Sequence, residues 1–296
     1  MNLYLGFSRN MLLLLVITFS TNVLAQDANN DRSRINESCK GLQHLLSLFT
    51  IHGIPQNQNT DDSLSIIINH GYCLGFSHKY NQPRWAAYQV SKSTKDVDYE
   101  RFPFFTNDSR LPAKNQIGNE TFGNGYDLGH MVPNAAINRQ YGKLAQMETF
   151  LMSNISPQKA ELNRGVWQKL EQAIRETYCF SKTEADKEKE HIWVIVGPVF
   201  SANPEFIERK NGTKSAIPTS FFCILVRPSK YPYDSPANAE YQAFVFPQEL
   251  PMKQQLDVSF LKSINQVETL TKLNFFPHFT KHYEEKIETD ASTVLW

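Results

Sequence analysis

His130 follows Gly129 in Tyr126-Asp127-Leu128-Gly129-His130-Met131-Val132-Pro133, and Asn163 and Glu171 share the run Leu162-Asn163-Arg164-Gly165-Val166-Trp167-Gln168-Lys169-Leu170-Glu171. A neutral imidazole near pH 7 can take a proton from water. A hard divalent cation clamps phosphate oxygens and accepts oxygen ligands while keeping much of its own water. Histidine, asparagine and carboxylate in this order therefore suit metal-assisted hydrolysis of a phosphodiester. That reaction needs an activated water, a stabiliser of negative charge and help for the departing 3′ oxygen. Glu171 lies roughly 12 Å beyond Asn163 by helical rise, too far to share one ion's inner shell. Arg101, Arg139, Arg164 and Arg175 are the cations able to meet a phosphate. Taken singly, each residue has a plainer reading. His130 would be a loop or core histidine, Asn163 a helix N-cap, and Glu171 with Arg175 a solvated helix pair.

The elements that must hold these residues are legible in outline. Apolar positions Leu162, Val166, Leu170, Ala173 and Ile174 recur at helical spacing from Leu162 to Tyr178. Strands are expected over residues 65–69, 71–76, 84–90, 191–198, 220–226 and 241–246, and a second helix over 257–273. Strands on both sides of a long helix, without strict βαβ alternation, predict an α+β fold with a central antiparallel sheet flanked by helices. The expected domain runs over residues 63–282. It follows a polar, weakly ordered arm (26–62) carrying at most one helix, and Asn274-Phe275-Phe276-Pro277 closes the packed part before a C-terminal tail (283–296).

The 296 residues are 41% hydrophobic, enough for a full core, and the formal net charge is zero. A polyanion must then be met by a local basic patch, because the whole-molecule field does not attract it. Arg9, the apolar run Met11–Ile17 and Val23-Leu24-Ala25 form the charged, apolar and cleavable pattern of a secretory signal peptide over residues 1–25. The expected location is therefore secreted or periplasmic, with no membrane anchor after cleavage. Cys39, Cys73, Cys179 and Cys223 permit two disulfides in such a compartment. Asn-x-Ser/Thr sequons start at Asn36, Asn107, Asn119, Asn154 and Asn211. Gly-x-Ser-x-Gly, His-Glu-x-x-His and P-loop strings are absent.

Asp127-Leu128-Gly129-His130, Thr149-Phe150-Leu151-Met152-Ser153-Asn154-Ile155-Ser156-Pro157-Gln158 and Leu162-Asn163-Arg164-Gly165-Val166-Trp167-x-x-Leu170-Glu171 closely resemble the DNA/RNA non-specific endonuclease family. Trp85-Ala86-Ala87-Tyr88, Val196-Gly197-Pro198 and Phe275-Phe276-Pro277 add to the likeness, which covers residues 65–280. It implies a ββα-metal (His-Me finger) site that cleaves DNA and RNA without sequence choice. By this resemblance His130 is the general base and Asn163 the protein ligand of one Mg²⁺, with Mn²⁺ as the alternative ion. Glu171 orients the ion's waters, Arg175 and Arg101 sit near the phosphate, and Asp127 positions the histidine loop. Arg164 and Arg139 are further substrate contacts, and a homodimer is compatible with the pattern. Two departures stand out: Leu128 replaces the arginine usual in Asp-Arg-Gly-His, and Cys223 occupies a strand position where a lysine is expected. Leucine can neither carry charge nor donate hydrogen bonds. A catalytically weak or inactive nucleic-acid-binding relative is thus one alternative, and an exported metal phosphodiesterase for small substrates is another.

Overall fold

Residues 220–228 show why a sheet forms. Phe221, Cys223 and Leu225 alternate with Phe222 and Ile224, all buried, so the strand has two apolar faces and needs a layer on each. The computed structural model describes residues 40–92, 99–123, 125–179, 191–230, 232–233 and 235–296, so the expected leader lies outside them. Residues 45–296 make one compact unit.

The strands of the central sheet are β2 (Leu64–Ile68), β3 (Cys73–Ser77), β4 (Gln82–Ser91), β7 (His191–Val199), β10 (Ser220–Pro228), β11 (Ala239–Pro247) and β12 (Leu261–Lys262). Their order is β12-β11-β10-β7-β4-β3-β2, antiparallel throughout. Small two-stranded pairs join β1 (Gln56–Asn57) to β13 (Leu273–Asn274), β5 (Tyr126–His130) to β6 (Ile155–Lys159), and β8 (Phe206–Glu208) to β9 (Lys214–Ala216). The helices are α1 (Lys40–Phe49), α2 (Asn134–Tyr141), α3 (Lys143–Glu148), α4 (residues 160–178), α5 (Ile264–Thr271) and α6 (Lys281–Tyr283), the last continuing into the turn Glu284–Glu288. The α+β architecture with a central antiparallel sheet is as expected, and each of the six expected strands is present.

One face of the sheet is covered by α4, whose Leu162, Val166, Trp167, Leu170 and Ile174 pack with Phe221, Cys223, Leu225 and Tyr88. Trp167 meets Phe221 edge-on at 5.7 Å and Phe246 at 5.8 Å. On the other face Phe222 meets Phe275 at 5.1 Å.

Several expectations need correction. The arm drawn over 26–62 is built in from residue 45. β1 pairs with β13, and buried Asp62 accepts from Ser77 Oγ at 2.5 Å and lies 3.3 Å from buried Arg84. The helix drawn over 257–273 begins only at Ile264. β12 must first pair with Ala243 and Phe244, and a Ser263–Gln266 capping box then starts α5. The tail is packed too: the Arg227 guanidinium covers the Trp296 ring at 4.1 Å, and Gln242 donates to Ser292 Oγ. Two disulfides are not formed, because Cys73 and Cys223 are buried free thiols on β3 and β10 with β4 and β7 between them. Three strand spacings, about 14 Å, exceed any disulfide's reach. Cys39 lies outside the described residues.

Candidate active site

Strands β5 and β6, with α2 and α3 between them, and helix α4 directly after β6 form a strand–strand–helix unit that brings His130, Asp127, Asn163 and Arg164 together. In the β5–β6 ribbon Gly129 stands opposite Ser156, and a Cβ there would come within 2.6 Å of the Gln158 side chain and 3.1 Å of Ser156 O. Only glycine lets the two backbones close beside the histidine. The turn after His130 is tied by Asn154, which is fully buried. Its Oδ1 accepts from Val132 N at 2.9 Å, and its Nδ2 donates to Val132 O and Thr149 O, each at 3.0 Å. Counted from sequence as a glycosylation sequon, Asn154 is instead the clamp on the histidine loop. Nothing local in the sequence distinguished it from the other four.

His130 is half-buried between Phe105, with ring centroids at 5.4 Å, and Phe150, edge-on at 5.1 Å. The Leu128 backbone lies beside the ring and raises its pKa slightly, while Nε2 is buried with no hydrogen-bond partner. In the neutral tautomer with its proton on Nδ1, Nε2 is the nitrogen that keeps the lone pair. Burial first, and the Arg101 charge second, pull the imidazole down to about 3, so it is neutral at physiological pH. The Arg101 guanidinium lies 4.9 Å over the Phe150 ring, which places it beside the histidine. Thr106 anchors this loop by accepting from Met152 N at 2.8 Å and donating to Phe150 O at 3.1 Å.

Asp127 is the hub between strand and helix. Asn163 Nδ2 donates to its Oδ2 at 2.8 Å, and Arg164 grips both oxygens through Nε at 2.8 Å and Nη2 at 2.6 Å. These bonds hold the Asp127 carboxyl below its ordinary value despite partial burial. Its partners are on α4, so it ties the strand that ends at His130 to the helix that carries Asn163. With Nδ2 engaged, Asn163 presents Oδ1 as its remaining group. Asn163 is not an N-cap, since α4 starts at Ala160 and Asn163 has helical φ and ψ of −57° and −47°. Two residues on, Gly165 breaks the regular helix with φ −102° and ψ −118°, and an added Cβ would sit 3.0 Å from Met252 O.

Glu171 and Arg175 are half-buried near Tyr88 of the sheet, not a freely solvated pair. Burial pushes the Glu171 carboxyl up to about 7, against the opposing pull of Arg175 and the Trp167 indole. Arg175 Nε and Nη1 are buried without hydrogen-bond partners. Cys223, where a lysine was expected, lies on the strand beneath and feels the Glu171 charge. A lysine at that place would have offset it; a neutral thiol does not. Leu128 packs with Phe105 and Tyr126 against the small apolar cluster of Ile117, Phe122, Met152 and Ile155. Arg139 is exposed on the last turn of α2, on a different element from all of these.

No group of three His, Cys, Asp or Glu able to hold a metal occurs among the described residues. The donors do fit a hard ion that retains most of its water, with Asn163 Oδ1 as the neutral protein oxygen.

The model of the DNA/RNA non-specific endonuclease family matches residues 53–281. The chain is 29% identical over 220 residues to the mitochondrial nuclease EXOG of Homo sapiens, covering 71% of this chain but only 56% of that protein. It is 27% identical over 256 residues to a nuclease of Nostoc sp., covering 83% and 85% respectively. A chain in a crystal structure of the EndoG/EndoGI complex superposes with a TM-score of 0.60 at 19% identity, over 82% of this chain and 94% of that one. With a family match across most of its length and this strand–strand–helix site within it, the chain belongs to the DNA/RNA non-specific endonuclease family.

Proposed function

We propose that the protein is a sequence-non-specific endonuclease that hydrolyses phosphodiester bonds of DNA and RNA. The observation that carries this reading is the neutral His130 between Phe105 and Phe150, whose Nε2 has no hydrogen-bond partner. Nε2 takes a proton from water as its oxygen attacks phosphorus. The P–O3′ bond breaks, leaving a 5′-phosphate and a 3′-hydroxyl that acquires its proton from solvent. A divalent cation held by Asn163 Oδ1, Mg²⁺ or Mn²⁺, would supply Lewis-acid stabilisation of the phosphate and leaving oxygens. Glu171 orients the waters of the site, and Arg175, with its unpartnered donors, meets the phosphate. Attack by an external water does not use the 2′-hydroxyl, so RNA and DNA both qualify. Phosphate contacts carry no base information, so sequence choice is weak.

Arg164 takes over the charge that Leu128 lacks. Its fork is fixed by Asp127, yet the side chain is 65% exposed and free to meet a phosphate on its open side. The alternative, a weak or inactive nucleic-acid-binding relative, is favoured by the apolar seat of Leu128. One experiment separates them: supercoiled plasmid and total RNA are incubated with the chain from Gln26 in Mg²⁺, in Mn²⁺ and in EDTA, alongside His130→Ala. Metal-dependent degradation lost in the variant is the expected result. No cleavage from folded protein in any metal selects the inactive relative, and turnover of bis-nitrophenyl phosphate without preference for polymers selects a small-substrate phosphodiesterase.

Export through residues 1–25 belongs to the same proposal. N-terminal sequencing of the protein from its native source should begin at Gln26; an intact N-terminus or a distant cut removes the leader reading.

A further inference from the structure

On the sheet face away from α4, helix α5 and the last turns of the chain enclose a cleft of about 320 Å³. Its side is fixed by Phe275, which meets Phe222 edge-on and donates its N–H to Glu268 Oε1 at 2.8 Å. Four carboxylates line the cleft, Glu268, Glu284, Glu285 and Glu288, together with the amides of Asn265 and Asn274. Glu288 is only 4% exposed and makes no hydrogen bond or ion pair among the described residues. A carboxyl group this shielded, open only to the cleft and without a protein partner, is satisfied only by what occupies that cleft.

We infer that this cleft binds a small organic cation bearing several N–H donors, with the chemistry of a diamine or polyamine. The lining supplies acceptors in excess and no aromatic face, so it does not suit a quaternary ammonium, which is held by ring faces. A bare metal ion fits less well, because no three carboxylates among the described residues come together as a metal group. The volume lies at the lower end of small-molecule sites, roughly 300–1,000 Å³, and holds a chain of several atoms. Lys281 does not fill the role: its ammonium is 3.9 Å from Glu285 and its side chain 86% exposed.

The titration of Glu288 agrees. Burial, then the charges of Glu268 and Glu284, push its carboxyl up to about 8. Glu285 and Lys281 on its own element and the Tyr241 hydroxyl from β11 are the other titratable groups that face it. At pH 7 Glu288 therefore holds a proton in the free protein, and a bound cation displaces it.

Isothermal titration of the metal-free protein with spermidine and with putrescine tests this, with tetramethylammonium and Ca²⁺ at matched ionic strength as comparisons. Saturable one-site binding is expected for the amines, with buffer-dependent heats at pH 7 that report proton release. Glu288→Gln should weaken it tenfold or more and Glu284→Gln several-fold, while Glu249→Gln on the open surface leaves it unchanged. Absence of saturable heat from folded protein, equal binding of tetramethylammonium, tighter binding of Ca²⁺, or full affinity in both cleft variants overturns the proposal. None of these readouts depends on nuclease activity.

Discussion

Asp127, Asn163 and Arg164 show how a single carboxylate can organise a site without touching the reaction. By accepting from the Asn163 amide it turns the amide oxygen outward, and by accepting the Arg164 fork it holds a cation that a leucine at position 128 does not provide. Arg164→Ala is therefore expected to lower kcat/KM on plasmid by 10- to 1,000-fold, about 1.4–4 kcal/mol of lost transition-state stabilisation. Leu128→Arg in that background should recover part of the loss, whereas in the wild-type chain it should add little. If His130 is the base as proposed, His130→Ala should cost about 10²–10⁴-fold with an unchanged circular dichroism spectrum. Glu171 contributes to the pH dependence of stability. Its folded-state value of about 7 exceeds the 4.5 of the free side chain. The unfolded chain thus gives up this proton first, and in metal-free protein stability falls as pH rises from about 4.5 to 7. Glu171→Gln should then raise stability at pH 8 by about 1–3 kcal/mol in urea unfolding, while cleavage is lost. Unchanged stability at pH 8 would show that Glu171 is charged and satisfied in the fold.

At the level of elements, the β5–β6 ribbon is too short to hold its register by pairing alone. Asn154 supplies what five residue pairs cannot, by crossing from the turn before β6 to the backbone on either side of Val132. Asn154→Ala leaves buried backbone groups without partners at Val132 and Thr149, at about 1–3 kcal/mol per unsatisfied group. Lower chemical stability is expected, together with a kcat loss larger than the KM change because Nε2 is no longer fixed. Helix α4 shows the opposite economy of means, since one glycine sets its shape. Gly165 allows the break and the close passage of Met252, so a larger side chain must displace the 252 segment or straighten the helix. Either shift moves Asn163 relative to Glu171.

Across the whole molecule, the segment around Asp62 closes the architecture. Arg84 on β4 meets Asp62 and donates to the Thr271 carbonyl at the end of α5, linking residues far apart in sequence through a buried ion pair. Asp62→Ala strands the Arg84 charge and should cost about 3–5 kcal/mol of unfolding free energy, read as a lower urea midpoint. The zero net charge has its own consequence. Substrate attraction must come from the few arginines at the site, so the logarithm of the rate below saturation should fall with log salt at a slope of about −2 to −4. A much steeper slope would point to a wider basic surface than the described residues present.

The sequence by itself determined the site's inventory and order, because glycine, histidine, asparagine and the helical apolar spacing are local signals. The six central strands and α4 were legible for the same reason, each being long, apolar and bounded by turn residues. What only the tertiary structure decided rests on contacts between distant segments. Arg101 gains its place beside His130 through Phe150, and Asn154 becomes a clamp only when the ribbon folds over it. Arg164 was readable as one of several cations, but its pairing with Asp127 depends on β5 lying against the start of α4. Glu171 and Arg175 read as a solvated i,i+4 pair, and burial against Tyr88 and Cys223 makes them otherwise. The polar arm and tail looked loose because their few apolar residues are spaced irregularly. Their order comes from β1–β13 pairing, the Asp62–Arg84 pair and the Arg227–Trp296 contact, partners that no local window of sequence contains.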